Sequence, residues 1–370
     1  MRCLFLAPLK PPDHPVPSGE RTMARLFMKL LDTLGYQVDL ASTLRSYAAT
    51  PAPERWAALH AEAALEVERL AREAETAPVA MVFAYHVYYK APDLIGPALA
   101  RRLGVPYVVA EASRAPKRAD GPFARGHSLA EQAIDTARLV LAPTVHDREV
   151  LDRLKPAGQL VADLKPFLDL AEWPKAGAPR ASSGRRLITV AMMRTGDKLA
   201  SYLQLAQALA RIEELGWMLS IVGDGPARPE IEAAFARFGG RVSFLGAVTG
   251  RPALGRLYAT ADLFVWPGVN EAFGAVYLEA QAHGLPCLAG GYGGIADTMR
   301  VGETGLLTPA GDIGAYAGAL AGLLDDEPRR AAMAAAAARF IATERTLTIA
   351  AEHAARALRT AGIPVPGDHA

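Results

Sequence analysis

Short apolar runs of strand length alternate through most of the chain with longer stretches in which apolar positions recur every three or four residues. The first pattern predicts strands and the second predicts amphipathic helices, so their alternation predicts an α/β protein with parallel sheets covered by helices. Strands are expected at Cys3–Ala7, Gln37–Leu40, Val79–Ala84, Pro106–Val109, Leu139–Ala142 and Leu160–Ala162. Between them, Glu20–Leu34 places Met23, Leu26, Phe27, Leu30, Leu31 and Leu34 on one stripe and stops near Gly35. Pro53–Glu75 reads as a long amphipathic helix rich in Ala and Glu.

A polar stretch rich in proline and alanine, Glu172–Gly184, interrupts the pattern and reads as a linker. Strands then resume at Leu187–Ala191, Met218–Val222, Val242–Leu245, Leu263–Trp266 and Cys287–Ala289, and Asp312–Leu324, Pro328–Thr343 and Leu347–Leu358 close the chain as consecutive helices. The expectation is two doubly wound domains, residues 1–170 and 186–345, joined by a linker at 171–185 and facing each other across a cleft. Ligands of such sheets lie at the carboxyl ends of the strands.

Length agrees, since 370 residues make two domains of ordinary size. With 40 Lys and Arg against 39 Asp and Glu, the formal charge is +1, which argues against nucleic acid as a partner and for a small molecule. The two cysteines, Cys3 and Cys287, lie far apart in apolar stretches, as buried thiols of a cytoplasmic protein do. The opening apolar run is too short for a signal peptide, and no run reaches the ~18 apolar residues of a membrane span.

The richest segment follows the strand ending at Trp266. Here Glu271, Ala272, Phe273, Gly274 and Ala275 lead into a helix carrying Glu279, so that free amides point above the strand ends. The two carboxylates of this E-x7-E pattern would stand ~12 Å apart on a continuous helix and could hold the two ends of a hydroxyl-rich ligand. Downstream, the glycines of Gly290–Gly294 offer backbone amides to a diphosphate. Upstream, Arg194 and Lys198 put two cations at the end of the domain's first strand, and Gly223 begins a tight turn in Val222–Pro226.

In this order, together with Phe244–Gly246 and Gly302–Leu307, these motifs resemble family 4 of the retaining glycosyltransferases, which have the GT-B fold. The resemblance implies a bacterial, cytoplasmic enzyme that moves a hexose from a UDP- or GDP-linked sugar to a hydroxyl of a lipid, glycan or other cell-envelope acceptor. It implies that Arg194 and Lys198 contact the donor diphosphate, that Glu271 and the Ala272–Ala275 amides face the donor sugar, and that Glu279 binds the ribose. It also implies that a C-terminal helix of about 346–370 packs back on the first domain. Gly19, in Pro17–Glu20, looks like the family's glycine loop. His86 follows the strand end at Phe83–Tyr85, and Glu111 stands where the family often has a histidine near the transferred sugar. Arg114, Lys117 and Arg118 concentrate charge that suits a phosphorylated or lipid-linked acceptor, or contact with the inner face of the plasma membrane. No cofactor or metal is expected, because the chain has no Asp-x-Asp and its eight histidines include no pair at ligand spacing. A UDP-sugar epimerase of the same fold, and a nucleotide-sugar-binding protein without transfer activity, are the alternatives.

Overall fold

The computed structural model describes residues 1–16, 18–50, 52–174 and 185–367, and the chain divides into two compact units. Most of the expected linker, residues 175–184, and Pro17 of the expected glycine loop lie outside the described residues.

The first unit comprises Met1–Lys165 and Thr348–Ala370. Its elements run β1 (Arg2–Leu6), α1 (Gly19–Thr33), β2 (Gln37–Leu40), α2 (Pro53–Ala74), β3 (Val79–Val87), α3 (Gly96–Leu103), β4 (Tyr107–Ala112), α4 (Ala124–Thr136), β5 (Leu139–Ala142), α5 (Val145–Leu154) and β6 (Leu160–Asp163). All six strands are parallel, in the order β2-β1-β3-β4-β5-β6. The middle residues of β1, β3, β4 and β5 are buried, as inner strands covered on both faces must be, while the edge strands β2 and β6 are only partly so. Helix α1 starts because the Ser18 hydroxyl accepts from the Arg21 amide, and it ends at Gly35, whose φ of 86° only glycine adopts freely.

The second unit, Pro166–Leu347, runs β7 (Arg186–Val190), α6 (Asp197–Ala210), β8 (Met218–Val222), α7 (Arg228–Phe235), β9 (Val242–Phe244), α8 (Arg251–Tyr258), β10 (Leu263–Val265), α9 (Ala275–Ala282), β11 (Cys287–Gly290), β12 (Gly305–Thr308), α10 (Ile313–Asp325) and α11 (Glu327–Glu344). Its parallel sheet has the order β12-β11-β10-β7-β8-β9. Strand β12 falls in the Gly302–Leu307 motif, where no strand is expected from the pattern because the run is short and bracketed by turn residues. The helix α12 (Leu347–Thr360) and the residues after it pack within the first unit: the Tyr36 hydroxyl donates to the Pro364 carbonyl, and Arg138 Nε donates to the Ala361 carbonyl at 3.0 Å. No helix among the described residues is long and apolar enough to cross a membrane.

Each sheet reverses its winding direction once, between β1 and β3 in the first unit and between β7 and β10 in the second. The loops that leave the carboxyl ends of those strands are where doubly wound sheets place their ligands. In the second unit these loops contain Arg194 and Glu271, whereas in the first His86 lies within the last residues of β3 itself.

Candidate functional site

In the second unit the loop 267–273, after β10, is held from three sides. The Gly290 amide donates to the Pro267 carbonyl at 2.8 Å, the Gly294 amide to the Ala272 carbonyl at 2.6 Å, and the Val269 amide to Ser201 Oγ at 2.8 Å. Asn270 takes a left-handed φ of 52° and ties the loop to Asp197 of α6 through its side-chain amide at 2.9 Å. Gly274 caps α9 at φ 72°, where a Cβ would strike the Tyr277 ring at 2.8 Å. The amides of Ala272, Phe273, Gly274 and Ala275 find no acceptor among the described residues, so they form a row of open donors at the head of α9.

Glu271 stands below that row. Its Oε1 is paired with Lys198 Nζ and accepts from the Trp266 indole at 3.2 Å, while Lys198 lies 5.6 Å from the centre of the Trp266 ring. The carboxylate side chain is 16% exposed and the ammonium 28%, so the pair is only partly shielded from water. Arg194, on the loop after β7, is exposed and meets no carboxylate among the described residues. One cation thus has a partly exposed carboxylate partner and the other has none among the described residues.

Glu279 sits further along α9, with its Oε2 accepting from the Tyr258 hydroxyl at 3.1 Å. Burial pushes its carboxyl above the usual range, against the opposing pull of Tyr258 and Arg251. Because Glu271 precedes the helix, the two carboxylates do not share one helical face.

Two expectations change. The Gly290–Gly294 turn does not present a cradle of free amides: those of Gly290, Gly291, Tyr292 and Gly294 all donate to carbonyls, leaving Gly293 as the exception in that turn. Its glycines instead permit contact with the loop 267–273, since a Cβ on Gly293 would lie 2.1 Å from the Glu271 carbonyl. Gly223 likewise spends its amide on the Gly246 carbonyl at 2.9 Å, and a Cβ there would lie 1.9 Å from the Ala191 carbonyl. It packs two strand ends together and offers no donor to a ligand.

In the first unit His86 and Glu111 lie inside β3 and β4 rather than beyond them, and both have left-handed backbones, with φ of 59° and 58°. Few non-glycine residues adopt this conformation. His86 Nδ1 is 2.8 Å from Glu20 Oε2, which also accepts from the Tyr85 hydroxyl at 3.3 Å. Gly19, one residue earlier at the start of α1, has nothing within 4 Å of where a Cβ would stand. The basic loop is less available than its sequence suggests. Arg114 has a side chain 1% exposed and is paired with Glu131 and Asp135, so it has no charge to spare for an acceptor. Arg118 lies over the Tyr89 and Phe123 rings at 5.3 and 5.5 Å, and Lys117 is exposed.

Trp266, Asn270, Ser201 and Tyr258 belong to the site and were not singled out in the sequence. A tryptophan closing a strand directly before a Pro-Gly loop was the one signal for them, since residues at that position face the ligand end of a parallel sheet.

Residues 184–326 match the family model described as Glycosyl transferases group 1. Among curated relatives, the D-inositol 3-phosphate glycosyltransferase of Thermobispora bispora is 33% identical over 57% of this chain and 54% of that protein. The one of Salinispora tropica is 30% identical over 69% of this chain and 59% of that protein. The chain therefore spans a little over half the length of these relatives. Among solved structures, sucrose-phosphate synthase of Thermosynechococcus elongatus has a TM-score of 0.75 at 17% identity, covering 97% of this chain and 99% of that one. Anabaena HepE in complex with UDP has a TM-score of 0.72 at 17% identity, covering 97% and 100%. At such identity the likeness is one of fold, and the fold is GT-B.

Proposed function

We propose, for a chain whose residues 184–326 belong with the glycosyl transferases group 1, that it is a retaining, metal-independent glycosyltransferase using a UDP- or GDP-linked hexose and a hydroxyl acceptor. The observation that carries this reading is the head of α9: open amides beside a Glu271–Lys198 pair, with exposed Arg194 four residues before Lys198. Anabaena HepE has been solved with UDP-glucose, which favours a uridine nucleotide among the candidate donors.

In this reading Arg194 and Lys198 neutralise the diphosphate as its bond to the sugar breaks, and the amides of Phe273 and Gly274 hold sugar hydroxyls. The acceptor oxygen forms its bond to the anomeric carbon on the face the diphosphate leaves, and its proton passes to the departing phosphate oxygen. No protein nucleophile is consumed. Glu279 takes the ribose, its carboxyl oriented by Tyr258.

The test is thermal stabilisation by UDP, GDP, ADP, TDP and CMP in EDTA. One diphosphate at 100 times its dissociation constant should add about 2.7 kcal/mol of stability, and the gain should vanish in Lys198→Ala and Glu279→Ala. An inverted anomeric product, or a strict requirement for a divalent ion, would refute the reading.

A further inference from the structure

At the winding switch of the first unit, three acidic side chains converge on one imidazole. Glu20 comes from the first turn of α1, Glu111 from the end of β4 and Asp147 from the first turn of α5, with Tyr85 and Tyr88 completing the surroundings of His86. Asp147 is held by the hydroxyls of Thr144 at 2.6 Å and Ser113 at 3.3 Å. Glu111 is only 9% exposed, and its Oε2 has no hydrogen-bond partner among the described residues. A buried carboxyl oxygen without a partner is costly unless a ligand or water satisfies it. His86 spends Nδ1 on Glu20, while its Nε2 makes no hydrogen bond among the described residues and its side chain stays 18% exposed. The site therefore offers one open ring nitrogen, a donor when the imidazole is protonated, beside one unsatisfied carboxyl oxygen.

That pairing suits a hydroxyl, which donates and accepts at one oxygen. An anion suits it poorly, because three acids face the one imidazole, Lys10 acts on Glu20, and Arg114 is already consumed by Glu131 and Asp135. We infer that the Glu20–His86–Glu111 cluster binds an uncharged polyol or sugar hydroxyl and selects against phosphorylated ligands at this place. The inference deepens the transferase reading by naming the chemical class of the hydroxyl-bearing partner, and it rests on that reading only for calling the partner an acceptor. The charge state agrees. Burial pulls the imidazole down, but Glu20, Glu111 and Asp147 outweigh it and carry it up to about 9, which makes Nε2 a donor at neutral pH.

The test is saturation-transfer NMR on the full chain, with and without UDP, using glucose and myo-inositol against glucose 6-phosphate and myo-inositol 3-phosphate. The neutral probes should bind at least tenfold more tightly than their phosphates. Glu111→Gln, which keeps the shape and removes an acid, should narrow that gap about tenfold. Glu20→Gln should narrow it as well, and does so from a partly exposed helix start should Glu111→Gln fail to fold. His86→Gln should weaken the neutral probes. Phosphates binding as well as the neutral probes, an unchanged gap in both acid variants, or no binding of any probe at 100 mM would overturn the inference. UDP stabilisation is scored separately: its loss with polyol selectivity intact refutes the donor reading, and the reverse result refutes this one.

Discussion

Lys198 and Glu271 are each other's nearest charges, so the two single substitutions should have opposite effects on nucleotide binding. Lys198→Ala leaves a partly buried carboxylate without its cation and removes a diphosphate contact, and transfer should fall by about 10²–10³ with UDP stabilisation lost. Glu271→Gln frees the ammonium, and calorimetry should find UDP bound as tightly or more tightly while transfer falls. A second prediction concerns His86. Its pKa rises on folding from 6.5 to about 9, so it contributes stability that is complete below pH 6.5 and lost as pH climbs through 9. Glu111, pushed by burial to about 7, adds a loss between pH 4.5 and 7, whereas Glu20, held low by His86 against the cost of burial, acts only below 4.5. Melting temperature should therefore drop across pH 6.5–9 by the equivalent of roughly 3 kcal/mol, and His86→Gln should flatten that slope. Arg194, Lys198 and Glu271 were readable as chemistry because they are charged residues at strand ends. The acid pair around His86 was not, since Glu20 and Glu111 are separated in sequence and meet only because β1 and β4 both pair with β3.

At the scale of elements, the carboxyl ends of β10 and β11 act as one scaffold. The Gly290–Gly294 turn braces the loop 267–273 through its backbone, so substituting a turn glycine should damage the site without removing any of its side chains. Gly293→Ala must move the Glu271 carbonyl, because its Cβ would fall 2.1 Å away and its φ is 48°. The expected result is a loss of stability of about 1–3 kcal/mol and weaker UDP binding, with Lys198 and Arg194 intact. Gly302→Ala serves as the control: its φ of 87° carries a similar strain, but nothing lies within 4 Å of its Cβ, so it should cost stability while leaving UDP binding unchanged. Hydrophobic period located every strand but β12, and the helices α1, α2, α10, α11 and α12, to within a few residues. It could not show that the glycine turn spends its amides internally, because a sequence of free donors and one of braced donors look alike until the loop opposite is in place. Strand β12 was missed for a related reason: its pairing with β11 supplies what its own short run lacks.

For the whole chain, the alternation of runs, the length and the neutral charge were enough to read two doubly wound units. The strand order within each sheet was not, because pattern fixes the elements and leaves their neighbours to packing. The first unit is discontinuous in sequence, and this has a measurable consequence. Its closing segment contributes Ala354, Leu358, Ala361, Ile363 and Val365 to buried surface, and Tyr36, Arg138 and Gly35 receive Pro364, Ala361 and Pro366. Each fully buried aliphatic side chain is worth about 1.5–3 kcal/mol, whereas the net stability of a domain is only about 5–15 kcal/mol. A chain ended after Leu347 should therefore lose or strongly lower the unfolding transition of the first unit. The second unit keeps every residue of its sheet, of α9 and of the Lys198–Glu271 pair, so its transition should survive and still rise with UDP. Differential scanning calorimetry of the full and shortened chains, each with and without UDP, separates the two: a single transition lost in both units together would mean that the second unit depends on the first for its own stability.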